Sequence, residues 1–433
     1  MIIAIFLLCL IGAIIVGVPI AISILFSALG LMIYLGDFNT QYFALHLMRG
    51  TDVPALMALP FFILAGEFMN RGGLTNRIVE FANVFVGRLR GGLGYVTIIA
   101  CLIFAALVGS AVASTAALGA ILIPMMTKAG YTRNRTTALV AGANIVAPIM
   151  PPSVPMIIFG VTAGVSISKL FMAGIAPAVY ISVGLSVLWF FISKKETGVA
   201  KQEKLTLKQA VKSVFSGFWA ILMPVIIIVG MRGGIFTPTE AGVVAAVYAL
   251  LVGIIVYREL TFKEIIAALI ATAKMTSVIM LLAAAATVAA YLMTIGQIPL
   301  MITKSLSGFV ANPLLLKLMI VLFVILLGTS MDVVPIVLIL TPIFMPLVRA
   351  AGIDPVYFGL IFIITTVFGL MTPPVGNVLN VACGTAKIKM EDLLGPILPY
   401  LIVEITILLL MVFFPQLVTV PLSWFTGGGA AAG

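Results

Sequence analysis

Apolar runs of 18 or more residues follow one another along nearly the whole chain, and this limits what it can fold into. Hydrocarbon offers no partner to a backbone N–H or C=O, so continuous runs of this length read as transmembrane α-helices. Only 9% of the 433 residues are charged, against about 25% in ordinary soluble chains. The longest polar stretch, Ser193 to Lys212, is too short for a soluble domain and reads as a connecting loop. The expected class is therefore an all-α polytopic membrane protein.

The first run continues to Leu35 with no basic residue before it, so a cleaved signal peptide is not expected. As one helix it would be about 50 Å long, against a core of about 30 Å. Gly17-Val18-Pro19 is expected to divide it. The terminal "GGGAAAG" reads as a cloning scar and is set aside. A net charge of +10 would point to nucleic acid in a soluble chain. Here Lys and Arg lie between the apolar runs, which is the positive-inside pattern of a membrane protein. Cys9, Cys101 and Cys383 all sit in apolar runs without metal-site spacing and read as packing residues.

Two proline pairs interrupt this pattern. "APIMPPSVPMIIFG" (147–160) and "FGLMTPPVGNVLNVACG" (368–384) place Pro151-Pro152 and Pro373-Pro374 at a separation of 222 residues. The same offset pairs Pro124 with Pro346, Gly130 with Gly352 and Pro177 with Pro399. With two or three residues inserted in the second copy, "LVGSAVAST" (107–115) faces "LLGTSMDVV" (326–334). Shared punctuation over some seventy residues marks two structural repeats. In each, two apolar segments of roughly fifteen to eighteen residues meet at a small polar tip, short for full spans at about 20 residues each. They are expected to form re-entrant helical hairpins, each followed by a helix broken at Pro-Pro. Irregular backbone at membrane depth is tolerated where it lines a cavity, and paired breaks point to a transporter binding site.

Charge predicts the orientation of the repeats. Arg88, Arg90, Lys128, Arg133 and Arg135 lie at the base of the first hairpin, against Lys317, Arg349 and Asp354 at the second. The positive-inside rule places the first base in the cytoplasm and the second outside, so the repeats are expected to be inverted. The loop from Lys194 to Lys212 carries six lysines against two glutamates and should be cytoplasmic. "FTPTEAG" (236–242) reads as a capping box, with Thr237 as N-cap and Glu240 at N3. This explains Glu240 without a catalytic role.

No nucleophile–histidine–acid set is available, because the single histidine, His46, lies in an amphipathic segment, "NTQYFALHLMRG". Nor do the scattered acids form a metal cluster. The chain is not expected to be an enzyme. The two tips instead carry hard oxygen with little charge: Ser110, Ser114 and Thr115 beside Gly109, and Thr329, Ser330 and Asp332 beside Gly328. Ends of broken helices supply carbonyls to a sodium ion and N–H groups to a carboxylate. Proline removes a backbone donor, which makes the carbonyls of Met150 and Thr372 candidate ligands. Simple capping is the competing reading for the Ser, Thr and Asp residues. Asn144 and Asn377 are costly in hydrocarbon and are expected to line the site or bond broken backbone. Glu67 and Glu404 are intramembrane acids that could equally lie near an interface or pair with a neighbour.

The "GSAVAST…IP…G" and "GTSMD…TPI…P" hairpins with the "PPS" and "PPVG" breaks resemble the large membrane subunit of tripartite ATP-independent periplasmic (TRAP) transporters over nearly the whole chain. That resemblance implies sodium-driven import of an organic acid, of C4-dicarboxylate or sialic-acid type, across a bacterial inner membrane. It implies two partners, a soluble periplasmic binding protein that delivers substrate and a small four-helix membrane subunit. It also implies an elevator, in which a hairpin-bearing transport domain slides against a scaffold. On this reading the sodium-binding set is Gly109, Ser110, Ser114, Asn144, Met150, Pro151, Gly328, Thr329, Ser330, Asp332, Gly369, Thr372 and Pro373, with Na+ as the coupling ion. The substrate set is Thr115, Ser153 and Asn377. The expected organisation is scaffold helices over 1–52, a first repeat over 53–193, a cytoplasmic loop and linking helices over 194–264, a second repeat over 265–425, and the tail 426–433. The rival readings are a stand-alone anion symporter, a channel and an intramembrane enzyme.

Overall fold

The structure, a computed structural model, describes residues 2–36, 38–194, 206–305, 307–373 and 375–426. Most of the lysine-rich loop (195–205), Pro374 of the second proline pair and the tail from 427 lie outside the described residues. Every regular element among the described residues is helical. Among the described residues, seven helices are long and apolar enough to cross a membrane.

The local signals act where their chemistry requires. The N-terminal run divides into Ile2–Ile15 and Ile20–Leu35 around Gly17, whose φ of 89° is a left-handed conformation that glycine adopts without steric cost. Asn39 caps the amphipathic helix Thr40–Arg49 by accepting from the N–H groups of Gln41 and Tyr42. The capping box at Thr237 is formed: its hydroxyl accepts from Glu240 N, and the Glu240 carboxylate accepts from Thr237 N at 2.7 Å.

The 222-residue offset reappears in the helix boundaries. The two hairpins are Gly92–Val108 with Ala111–Lys128, and Pro313–Gly328 with Val333–Ala350. Their returning helices start and end 222 residues apart, and the next helices, Arg133–Asn144 and Pro355–Gly369, start at the same offset. After the breaks, Val154–Ala163 and Asn377–Ala386, then Ile167–Ser193 and Met390–Phe413, follow within one residue of that offset at their starts. The halves interlock. The returning helix of the first hairpin packs on Asn377–Ala386, and that of the second packs on Val154–Ala163. Around them, Pro238–Leu251 packs along Ala58–Arg71, and Phe262–Ile295 packs against Ile20–Leu35 and Ala58–Arg71. At 34 residues this helix is about 51 Å long.

Two cations at the base of the second hairpin have structural work. Lys317 is buried, and its Nζ donates to the carbonyl of Val412 at 2.8 Å, in the last turn of Met390–Phe413. Arg349 donates to the carbonyl of Ala163 at 3.1 Å, at the end of Val154–Ala163. Both satisfy carbonyls that a helix C-terminus leaves unpaired and meet the negative end of its dipole. Lys317 is therefore no loop charge, and the contrast in basic residues between the two bases is sharper than the sequence count. We expect Lys128→Cys and Ala350→Cys, exposed positions 222 residues apart, to react with a membrane-impermeant thiol reagent from opposite sides in a background without the three native cysteines. Reaction from one side would make the repeats parallel.

Candidate functional site

Each hairpin tip is a chain reversal built from a small residue and a cap. Gly109, with a φ of 65°, ends Gly92–Val108, and Ser110 opens Ala111–Lys128 by accepting from Ala113 N at 3.4 Å. At the second tip the Asp332 carboxylate accepts from Val333 N at 2.7 Å and opens Val333–Ala350. The Thr329 hydroxyl donates to Leu326 O at 2.8 Å and lies 3.3 Å from that of Ser330. Ser110 and Asp332 are thus caps, and each retains acceptor capacity beyond its cap bond.

The tips press against the breaks. A Cβ on Gly109 would lie 2.8 Å from the carbonyl oxygen of Pro152. A Cβ on Gly328 would lie 2.8 Å from the Cα of Gly369, and one on Gly369 would lie 2.5 Å from the Cα of Gly328. At the second tip only glycines allow this backbone-to-backbone crossing. Beyond the break, Gly376 N donates to Thr329 O at 3.0 Å, joining the tip to the restarted chain.

Both interrupted helices tighten into short turns before the prolines. Ala147 N bonds Asn144 O and Ile149 N bonds Val146 O in the first; Met371 N bonds Phe368 O and Thr372 N bonds Gly369 O in the second. The carbonyls of Met150 and Thr372 accept no backbone hydrogen bond among the described residues, as expected ahead of residues without an N–H. The Thr372 hydroxyl donates to Phe368 O at 2.9 Å. Ser153 is buried, donates to Pro148 O at 2.5 Å and caps Val154–Ala163 through Met156 N. Its hydrogen-bonding capacity is largely used by the protein. Asn377 is the first residue of Asn377–Ala386 and half-buried.

A cavity of about 570 Å³ lies between the tips and the surrounding helices, inside the roughly 300–1,000 Å³ range of small-molecule sites. Of the predicted site residues, Gly109, Ser110 and Asp332 line it, as does Glu67; the other ten members of the sodium set and the substrate set of Thr115, Ser153 and Asn377 do not. Four helix N-termini meet its wall, at Ile20–Ala21, Ala111–Ala113, Val154–Pro155 and Val333–Val334. Among the described residues its only charged lining groups are Glu67 and Asp332, and no Lys or Arg lines it. Free N–H groups and dipole ends are what this wall offers an anion.

Three predicted residues lie buried behind that wall. Among the described residues the hydroxyls of Ser114 and Thr115 have no hydrogen-bond partner, nor has Asn144 Oδ1, although Asn144 Nδ2 donates to Val140 O at 2.9 Å. All three are fully buried, on the adjacent helices Ala111–Lys128 and Arg133–Asn144. Orphaned buried oxygen is rare in native folds, because it forfeits hydration without compensation.

The remaining acids behave differently from each other. Glu67 accepts from Arg71 Nε at 2.9 Å, and Arg71 also reaches Glu264 at 3.0 Å. Glu404 is fully buried and, among the described residues, neither of its oxygens has a hydrogen-bond partner, so it does not pair with a neighbour. Sequence reasoning left Arg71 and Glu264 aside. Their separation of 193 residues carries no local signal.

Comparison with known proteins places these features in a family. Residues 7–417 match the family described as "Tripartite ATP-independent periplasmic transporter, DctM component". The chain is 49% identical to the 2,3-diketo-L-gulonate TRAP transporter large permease protein YiaN of Escherichia coli, over 98% of this chain and all of that protein. It is 37% identical to the sialic acid TRAP transporter large permease protein SiaM of Vibrio cholerae, over 96% of this chain and 98% of that one. Among solved structures, the Alcanivorax borkumensis YdaH transporter shares the fold with a TM-score of 0.60 at 13% identity, over 89% of this chain and 88% of that one.

Proposed function

The chain belongs to the DctM component family of tripartite ATP-independent periplasmic transporters, and on that premise we propose that it imports an organic acid together with sodium. It is a multi-pass protein of the bacterial inner membrane, a large permease and not an enzyme. As the family's description says, the transporter has three parts. A soluble periplasmic binding protein delivers the substrate, and a small four-helix membrane subunit packs beside this chain. The substrate is a carboxylate of the sugar-acid, sialic-acid or C4-dicarboxylate kind, in line with the names of the relatives.

One observation carries this reading: four helix N-termini converge on a cavity that, among the described residues, no basic side chain lines. The N–H groups and dipole ends hold a carboxylate. Asp332 and Glu67, which line the same cavity, oppose an anion unless cations enter with it, which couples the two fluxes. The orphaned oxygens of Ser114, Thr115 and Asn144 and the unused carbonyls of Met150 and Thr372 are the ligands we assign to sodium, with the tip residues Gly109, Ser110, Gly328, Thr329 and Ser330 around them. Asp332 serves the same ion as a charge on the wall. Thr115 stands at the boundary between ion and substrate, and Ser153 and Asn377 shape the substrate side through the helices they open. The two interlocked hairpin-and-break units move together against the outer helices as an elevator, exposing the cavity alternately to either side.

Proteoliposomes containing this chain with its small membrane subunit, supplied with the loaded binding protein, test the proposal. Uptake is expected with an inward sodium gradient and not with potassium in its place. Without the binding protein it should fall to background. Uptake that is indifferent to sodium removes the coupling. Robust uptake of free acid by the lone chain would make it a stand-alone symporter.

A further inference from the structure

On the outer wall of the cavity, Ala58–Arg71 presents Glu67 and Asn70 to the lumen, three residues apart and so on one helix face. Neighbours hold both side chains. Arg71 Nε bonds Glu67 Oε2 at 2.9 Å, and the buried Thr75 donates its hydroxyl to Asn70 Oδ1 at 3.2 Å. Thr75 therefore sets the orientation of the amide: Oδ1 is taken, and Nδ2 remains as a donor. Arg71 leaves Glu67 Oε1 as an acceptor, and is itself shared between Glu67 and Glu264, at 2.9 and 3.0 Å. An oriented acceptor beside an oriented donor matches a hydroxyl group, which gives and takes one hydrogen bond each, or a pair of neighbouring hydroxyls.

We propose that Glu67 and Asn70 are specificity-determining residues that read the hydroxyl groups of a monocarboxylic polyhydroxy acid, with Arg71 and Thr75 as positioning residues. This rests on the organic-acid reading above, in which the substrate carboxylate lies at the helix N-termini of the hairpins. The tail of the substrate then meets Glu67 and Asn70. A hydroxylated tail satisfies both, an alkyl tail leaves them unpaired, and a second carboxylate is repelled by Glu67. A site whose polar groups are left unpaired by the wrong ligand discriminates strongly against it.

The purified membrane complex, in sodium buffer, is titrated by thermal shift with gluconate, gulonate and galactonate, and in parallel with hexanoate and adipate. All five have six carbons; hexanoate lacks the hydroxyls, and adipate replaces them with a second carboxylate. At least one sugar acid is expected to stabilise the parent protein at about tenfold lower concentration than hexanoate, with adipate no better than hexanoate. Asn70→Asp, which keeps the acceptor for Thr75 and loses the donor, and Asn70→Leu should each shrink the preference for the sugar acids over hexanoate, with the added charge of the first weakening all carboxylates together. Glu67→Gln should weaken the sugar acid and improve adipate. If hexanoate or adipate matches every sugar acid on the parent, the proposal is overturned and the organic-acid reading stands. Equal loss for all ligands in the Asn70 variants would make Asn70 structural, which also overturns it. If none of the five stabilises the parent and the reconstituted transporter takes up no organic acid, the organic-acid reading falls as well.

Discussion

Leucine at Gly328 or at Gly369 is expected to abolish transport and to lower the thermal stability of the protein, each change acting alone. The two glycines cross with nothing between their backbones: a Cβ on Gly328 would lie 2.8 Å from the Cα of Gly369 and 2.8 Å from Thr366 O. A Cβ on Gly369 would lie 2.5 Å from the Cα of Gly328 and 3.0 Å from Ile325 O. Overpacking a core costs about 1–3 kcal/mol when side chains can give way. Here the obstacle is backbone on both sides, so about 3 kcal/mol or more is expected. Separation of the two helix ends would also break the bond from Gly376 N to Thr329 O, which ties the restarted chain to the tip. Gly395→Ala is the control, because a Cβ there meets nothing within 4 Å. It should leave melting temperature and uptake unchanged, or stabilise slightly through helix propensity, worth about 1 kcal/mol. A Gly328→Leu protein that transports like the parent would show that tip and break separate freely, and the site described here would lose its geometry.

Why this crossing is hard to read from sequence is instructive. The sequence carries the punctuation of the fold openly. Pro-Pro, the tip glycines and the polar tips repeat at 222 residues, and each acts locally, through a missing donor, a positive φ or a cap. Helix boundaries at the same offset follow from those local rules. Gly369 is a different matter. In sequence it is one small residue in an apolar run, and its role depends on which helix lies across it. The same holds for Lys317 and Arg349. Their placement at a hairpin base suggested orientation signals, yet each donates to the end of a helix 95 or 186 residues away. Convergence of four helix N-termini on one cavity is likewise a property of packing. Ser110 and Asp332 mark two of those N-termini in sequence, but nothing local says that they face a common space. Conversely, Asn377 stands out as a polar residue near a break and Ser153 belongs to the substrate set that the resemblance implies, yet the hydroxyl of Ser153 is occupied by its own turn. Polarity identifies a residue with hydrogen bonds to make; it does not say whether the partner is protein or ligand.

That distinction decides the sodium site, and it gives the last prediction a sign. Ser114, Thr115 and Asn144 keep buried oxygens without partners. If these oxygens serve nothing, removing them relieves a burden of about 1–3 kcal/mol per group. Ser114→Ala, Thr115→Val and Asn144→Leu would then raise the melting temperature whatever salt is present. If they coordinate sodium, the parent protein already recovers that cost whenever the ion is bound. Ligand at 100 times its dissociation constant stabilises by about 2.7 kcal/mol, and this increment is what the variants should lose. The expected result is a crossover. In potassium the variants melt at or above the parent; in saturating sodium they melt below it. The sodium concentration for half-maximal uptake should rise by about tenfold or more, one lost ligand to a charged group being worth about 1.5–3 kcal/mol. Pro373→Ala should act in the same direction by restoring an N–H near the free carbonyls of the break, which lets the backbone repair itself. A titration of melting temperature against sodium, with potassium holding ionic strength constant, separates the two cases. Variants uniformly more stable than the parent, with unchanged sodium dependence, would assign the orphaned oxygens to packing and move the ion elsewhere. A crossover would place the ion behind the first hairpin tip, among the unpaired side chains of Ser114, Thr115 and Asn144.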